Sequence, residues 1–236
     1  MLGIIGAMDV EVDEIKKKIV SPVKAVFAGA EFVCGEIEDV ETVVARCSPG
    51  KVNAALCAQI MIDRFKPDAI INTGVGASLS SNVAIKNIVI ASDVCQYDMD
   101  TTGCGDPLGY ISGINKIKIE TDKALSDALA MSAISCGERI HRGSVASGDT
   151  FISSKELKEK IAKNFGAICG EMEGGAIGQV CYANKVPFAV IRSISDGGDE
   201  DSYIDYPTFK KIAADMSAAI LSDFIKTQRT QYKIEI

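Results

Sequence analysis

Phe188-Ala189-Val190-Ile191-Arg192-Ser193-Ile194-Ser195-Asp196-Gly197-Gly198-Asp199 is the stretch on which the fold of this chain turns. From Phe188 to Ile194 it is a strand-length run, apolar except for Arg192 and Ser193, and it does not alternate. Such a run suits a strand covered on both faces, with helices above and below. It then breaks into acids and glycines. Ligands in open α/β sheets bind beyond the carboxyl ends of the strands, so Ser195 to Asp199 marks one edge of a candidate site. Arg192 is a second signal. Arginine is rarely buried alone, so carboxylates such as Glu11 or Glu173 are expected to meet it.

Working outward, similar runs recur at Leu2 to Ile5, Val40 to Ala45, Ala69 to Asn72, Ile85 to Ala91, Gly143 to Ser147 and Ala167 to Gly170. Helical patterns lie between them: Val52 to Phe65, stopped by Pro67; Ser154 to Asn164; Gly174 to Asn184, ending before Pro187; and Pro207 to Lys226. Their starts and stops follow helix-end preferences. Strands alternating with helices indicate an α/β domain with a largely parallel central sheet. Val23 to Val44 differs. Its three short strand-like pieces, with turn signals at Gly29-Ala30 and Glu38-Asp39, read as a meander. Asp98 to Gly113 reads as a long irregular loop, and loops of that length are usually functional or mobile. With no repeat or low-complexity linker, residues 1–236 read as one domain.

Composition narrows the function classes. With 25 basic and 32 acidic side chains the net charge is −7, which repels a phosphate backbone, so a nucleic-acid partner is not expected. No apolar run approaches the roughly 20 residues of a membrane span, so no membrane partner is expected, and an unexported cytoplasmic protein is. The eight cysteines contain no Cys-x-x-Cys pair, and one histidine, His141, cannot complete a Cys/His zinc pattern. Buried free thiols in a reducing compartment are the expectation.

Four segments follow strand-like runs: Gly6-Ala7-Met8-Asp9-Val10-Glu11, Thr73-Gly74-Val75-Gly76-Ala77, Glu171-Met172-Glu173-Gly174, and Ser195-Asp196-Gly197-Gly198-Asp199. Three of the four deliver carboxylates to one rim. Taken singly each has a plain structural explanation. Glu11 suits a helix's first turn as a dipole partner. Thr73-Gly74-Val75-Gly76 is not a complete Gly-x-Gly-x-x-Gly and reads as a tight strand-to-helix turn. Phe151 alone reads as core.

In order and together, the segments resemble the nucleoside phosphorylase/nucleosidase superfamily, and within it the 5'-methylthioadenosine/S-adenosylhomocysteine nucleosidases. The carriers are Gly3-Ile4-Ile5-Gly6-Ala7-Met8-x-x-Glu11, Gly50-Lys51-Val52-Asn53-Ala54-Ala55, Ile71-Asn72-Thr73-Gly74, Ser147-Gly148-Asp149-Thr150-Phe151-Ile152, Glu171-Met172-Glu173-Gly174 and Arg192-Ser193-Ile194-Ser195-Asp196. The resemblance spans essentially the whole chain. It implies a three-layer αβα sandwich around a mixed, partly closed sheet, no metal or organic cofactor, and a homodimer. It also implies hydrolysis of a ribosyl N9 bond.

On that resemblance Asp196 is the acid that protonates adenine N7, which needs a pKa raised by burial or a nearby negative charge. Glu11 is the base that activates water, and Arg192 positions that water. A carboxyl at the leaving group and another across the ring repeat the logic of inverting glycoside hydrolysis. Glu173 grips the ribose hydroxyls and stabilises the developing cation. Phe151 stacks on adenine, the backbone of Ile152 reads its edge, and Met172 packs near the sugar. Ser195, Gly76 and Ala77 join the substrate-binding set. Met8, Pro49, Tyr206 and the Thr101 to Gly113 loop, with Ile111, line the 5' pocket, the loop doing so across the dimer interface; a methionine and an aromatic there suit a thioether.

The chain departs from the family where Val75 replaces a frequent serine, so any role there passes to the backbone. Cys104 and Asp106 replace aromatics, and Pro49 replaces an aliphatic residue. Methylthioadenosine, adenosylhomocysteine, 5'-deoxyadenosine and aminodeoxyfutalosine stay open as substrates. The alternatives are a phosphorylase of the same fold, disfavoured by the acidic Asp9 and Glu11 where a phosphate would want arginine, and a non-catalytic nucleoside-binding module.

Overall fold

A computed structural model describes residues 1–228; positions 229–236 lie outside the described residues. In chain order the elements are β1 (Leu2–Gly6), α1 (Asp9–Lys16), β2 (Val20–Phe27), β3 (Ala30–Ile37), β4 (Val40–Arg46), α2 (Lys51–Phe65), β5 (Ala69–Ser78) and β6 (Ile88–Gln96). Then follow β7 (Lys118–Glu120), α3 (Lys123–Ser135), β8 (Ile140–Ser147), α4 (Lys155–Phe165), β9 (Ala167–Glu171), α5 (Gly174–Asn184), β10 (Phe188–Asp196) and α6 (Ser202–Gln228).

The strands join one mixed sheet in the order β10-β6-β8-β9-β5-β1-β4-β3-β2, with β7 paired to β6. β10 also pairs with β5, so β5, β10, β6, β8 and β9 close into a ring. Closure removes two exposed edges. The pairs β1–β4, β1–β5, β5–β10, β6–β8 and β8–β9 are parallel, and the rest are antiparallel.

Three layers result. On one face Cys57 and Met61 of α2 and Ile177 and Cys181 of α5 pack with Val43 and Ile70 of the sheet. On the other, Val12 and Ile15 of α1, Leu129 of α3, and Ile220, Leu221 and Phe224 of α6 pack with Ile4 and Ile71. Every residue of β1 and β10 is buried, as continuous apolar runs require of strands covered on both faces. The meander is β2-β3-β4, turning at Ala28-Gly29 and Glu38-Asp39, both pairs at positive φ, the hand that matches strand twist.

The structure corrects the sequence reading at four places. Thr73 to Ala77 is not a turn. β5 runs on through it to Ser78, and the two glycines serve close approach: a Cβ at Gly74 would stand 2.7 Å from Glu11 Oε1, and one at Gly76 would stand 2.6 Å from Cys169 Sγ. Helix α3 was unanticipated, although Asp122 caps it by accepting the Leu125 N–H at 2.9 Å. α6 begins at Ser202, with Pro207 inside it; the N–H that Pro207 lacks would have served the carbonyl of Tyr203, an exposed residue. Finally, the 98–113 loop finds its own cover. Leu108 packs with Phe165 of α4, and Ile111, only 5% exposed, sits in the main core and bridges Lys116.

All eight cysteines are free; Cys104 and Cys136 are exposed, whereas Cys47, Cys57, Cys95, Cys169 and Cys181 are buried. Among the described residues no helix is long and apolar enough to cross a membrane.

Candidate active site

β1, β5 and β10 are parallel neighbours, so their carboxyl ends reach one rim. β9 runs against β5, but pairing of Gly170 with Ala77 returns Glu171 to the same place. A cavity opens there. Met8 and Glu11 line it after β1, Val75, Gly76 and Ala77 from β5, Met172 and Glu173 after β9, and Ser195 and Asp196 from β10. Pro49, Phe151, Ile152 and Tyr206 complete the wall from loops and α6. The β10–β5 register shifts between Ile194 and Asp196, and bulges of this kind re-aim a side chain at the end of a strand.

Glu11 is buried in the first turn of α1. Its Oε2 accepts the N–H groups of Ala7 at 2.7 Å and Met8 at 2.9 Å, and its Oε1 accepts that of Val75 at 3.0 Å. The carboxylate therefore does cap its own helix, yet it also reaches across to β5. Of its roughly four lone-pair positions, one remains for another donor. Burial pushes its pKa up, against the pull of those N–H groups and of Arg192. Val75, which has no hydroxyl, takes part through its backbone.

Arg192 lies behind the cavity wall, 1% exposed. It meets Glu171 in a close ion pair and Glu173 at 3.9 Å, and Glu11 is not within ion-pair distance. Asn72 accepts from it through both its carbonyl and its side-chain oxygen, and the Ile191 carbonyl accepts at 3.0 Å. Of the guanidinium nitrogens Nε has no partner. Glu171, which the sequence reading quoted but gave no part, is the principal partner. It also accepts from Ser147 Oγ and from the N–H groups of Glu173 at 3.0 Å and Gly174 at 2.7 Å, the positive end of α5. Glu173 in turn accepts the Gly50 N–H at 3.0 Å, at the start of α2. Burial, then the Glu171 charge, drives its pKa to about 8.

Asp196 is 2% exposed. Oδ1 accepts from the Gly198 N–H and Ser202 Oγ, both at 3.0 Å, and Oδ2 accepts from Ser195 Oγ at 2.9 Å. Burial raises its pKa although these donors oppose the rise. Phe151 stands at the mouth, 38% exposed, with its ring 5.4 Å and 72° from that of Tyr206. The Tyr206 hydroxyl lies 3.0 Å from Met8 Sδ. Ile152 is buried beside Gly170. Ile111 is separate from all of these and lines no part of the cavity within one chain.

Ala7, Thr150 and Glu171 also line the site, and Asn72, Ser147 and Ser202 support it; none was singled out from the sequence. Ala7, Asn72, Ser147 and Thr150 lie within the family-like segments, but Ser202 carried no local signal. Among the described residues no group of His, Cys, Asp and Glu has an arrangement that could hold a metal. The assembly offers a buried base candidate, an acid candidate and a third carboxyl, all lining one largely apolar slot.

The family model of the phosphorylase superfamily matches residues 1–226. A 5'-methylthioadenosine/S-adenosylhomocysteine nucleosidase of Shewanella loihica is 35% identical over 227 residues, 95% of this chain and 98% of its own. That of Halalkalibacterium halodurans is 36% identical over 221 residues, 93% and 95% of the two chains. The crystal structure of the Neisseria meningitidis nucleosidase in complex with methylthio-immucillin-A aligns at a TM-score of 0.92 with 30% identity, covering 96% of this chain and 98% of that one. The native futalosine hydrolase of Helicobacter pylori aligns at 0.92 with 32% identity, covering 96% and 97%.

Proposed function

Because the chain belongs to the phosphorylase superfamily, and within it to the 5'-methylthioadenosine/S-adenosylhomocysteine nucleosidases, we propose that it is an N-glycosyl hydrolase. It cleaves 5'-methylthioadenosine and S-adenosylhomocysteine to adenine and the corresponding 5-thioribose.

The observation that carries water rather than phosphate as nucleophile is the occupancy of the donors. A phosphate dianion needs backbone N–H groups and cations. Here Glu11 takes the N–H groups of Ala7, Met8 and Val75, Glu173 takes that of Gly50, and Glu171 and Glu173 face Arg192. The phosphorylase alternative has no comparable support, and a module that only binds has no need of this many buried carboxyls.

In the proposed mechanism Asp196 gives its proton to adenine N7, so the base leaves neutral as the N9–C1' bond breaks. Its raised pKa suits that task near neutral pH. Glu173 faces the ribose hydroxyls and the cation developing on the ring. Glu11 takes a proton from the attacking water with the lone pair its caps leave over. Arg192 acts from behind the wall, its charge holding Glu171 and Glu173 in place and favouring the ionised form of Glu11. Phe151 stacks on the base, the Ile152 backbone reads its edge, and Met172 packs near the sugar. Met8, Pro49 and Tyr206 surround the thioether, while Val75, Gly76, Ala77 and Ser195 line the floor.

The residues 1–236 are read as one nucleosidase domain, acting without metal or organic cofactor. A homodimer is supported by two exposed apolar side chains one turn apart on α2, Val52 at 71% and Leu56 at 49%. A cytoplasmic location suits eight unpaired thiols.

Incubation with methylthioadenosine, with and without phosphate, tests the reaction. Free methylthioribose in phosphate-free buffer is the expected product; a phosphate-dependent methylthioribose 1-phosphate overturns the hydrolase reading. Sedimentation of dilute protein tests assembly, where a monomer is the adverse result.

A further inference from the structure

Asp196 is held by more than its own loop. Ser202, the first residue of α6 and 0% exposed, points its hydroxyl at Asp196 Oδ1, 3.0 Å away, while its oxygen accepts the Asp199 N–H at 2.9 Å. The accepted N–H leaves the hydroxyl proton free to go to the carboxylate. Oδ1 also takes the Gly198 N–H at 3.0 Å, so both its in-plane lone pairs are engaged. Oδ2 accepts only from Ser195 Oγ, at 2.9 Å, and Ser195 has a second acceptor within reach, the Gly76 carbonyl at 3.4 Å. The two carboxyl oxygens are therefore not equivalent. Oδ1 is a saturated acceptor, and Oδ2 has room for a proton.

We propose that Ser202 is a positioning residue for the acid: by filling the second lone pair of Oδ1 it confines the transferable proton to Oδ2, the oxygen free to face the leaving base. The inference rests on the nucleosidase reading of the site. Ser202 touches no substrate itself. One helical turn further on, Tyr206 meets Met8 and Phe151 in the cavity wall, so the same face of α6 serves both the acid and the wall. Other groups near Asp196 do not duplicate this role. Asp205 and Tyr206 on α6, Asp199 in the preceding loop and Cys169 on β9 cannot act as cationic donors to it, and Lys158 of α4 spends its ammonium on the Gly197 carbonyl and Asp199.

The test compares Ser202→Ala, Ser202→Cys and Ser202→Thr with the wild type, reading kcat and KM for methylthioadenosine across pH. Removal of a donor to the ionised carboxyl raises its pKa and frees Oδ1 to carry the proton in the wrong place. Ser202→Ala and Ser202→Cys should lower kcat about 10-fold, the scale of one hydrogen bond, leave KM within about twofold, and move the basic limb of kcat to higher pH; Ser202→Thr should restore both. In an Asp196→Asn background Ser202→Ala should add nothing. Ser202→Cys keeps the inference testable if the alanine variant does not fold. A uniform loss at every pH that tracks a fall in folded protein, an unmoved basic limb, or a full additional loss in the Asp196→Asn background overturns the role of Ser202. A wild-type chain that releases no adenine in either buffer overturns the nucleosidase reading instead.

Discussion

Gly74→Ala should damage the proposed base without touching it chemically. Gly74 lies inside β5 and is not among the glycines with positive φ, so alanine suits its backbone. By itself that exchange would stabilise the chain by about 0.4–1 kcal/mol through the unfolded state. The new Cβ, however, stands 2.7 Å from Oε1 and 3.1 Å from Cδ of Glu11 and 3.5 Å from an Arg192 terminal nitrogen. The carboxyl must retreat by about 0.7 Å to reach the 3.4 Å of ordinary contact. It is anchored by bonds of 2.7, 2.9 and 3.0 Å to backbone N–H groups, none on a flexible side chain. Overpacking of this kind costs about 1–3 kcal/mol. After the entropic gain a net loss of about 0–2.6 kcal/mol remains, about 1.3 kcal/mol at the middle of the range, or about 3–5 °C in Tm for a chain of this size. Turnover should suffer more, because a misplacement near 1 Å costs about 10²-fold. Adenine release from methylthioadenosine and thermal melts check both numbers. A Gly74→Ala enzyme with kcat within about twofold of wild type, at any Tm, refutes the claim that Glu11 works from this tightly held position.

Glu11→Gln should lose about 10²-fold or more in kcat while binding of an inert substrate analogue changes far less, because a Gln amide meets donors on both sides and cannot accept the water's proton. Glu173→Gln keeps an acceptor for Gly50 but removes a carboxyl whose pKa rises from 4.5 to about 8 on folding. In the wild type the native state holds that proton more tightly, so this contribution is full below pH 4.5 and is lost as pH rises toward 8; Tm of Glu173→Gln relative to wild type should climb across that window, and a pH-independent difference contradicts it. Phe151→Ala, at the half-open mouth, should raise KM for methylthioadenosine by about 2- to 12-fold, the worth of one aromatic contact, with Tm nearly unchanged; an unaltered KM removes Phe151 from the base-binding wall.

What the chain declares of itself is local. Pro67 and Pro187 stop α2 and α5, the turn residues of the meander set its register, and continuous apolar runs mark strands covered on both faces. Thr73 to Ala77 was misread because two glycines at alternate positions have the same local signature in a turn as in a strand pressed against Glu11 and Cys169. The α3 pattern is carried by alanine and serine rather than large apolar residues, so its face was faint. Glu11, Glu173 and Asp196 were found because each follows a strand run. Glu171 follows a strand run as well, but its role, like those of Asn72 and Ser202, comes from partners about 20, 120 and 6 residues away, made neighbours only by the sheet and α6.

The surrounding electrostatics favour a cationic guest. Glu11, Glu171, Glu173 and Asp196 converge on a largely apolar slot with Arg192 as the cation beneath them. Burial raises the pKa of Glu11, Glu173 and Asp196, so in the free protein the slot disfavours their ionised forms, keeping a proton on Asp196 and on Glu173. A neutral nucleoside relieves little of that. A ribosyl group gaining positive charge as the N9 bond lengthens relieves much more, and it does so only near the transition state, where added binding raises turnover rather than affinity. A phosphate dianion finds no free backbone donors there, because Glu11 already holds them. Stabilisation of the ring cation and the choice of water over phosphate thus follow from how Glu173 and Glu11 are held, and removing the ionisable carboxyl of Glu173 should weaken the first without admitting phosphate as long as Glu11 keeps its donors.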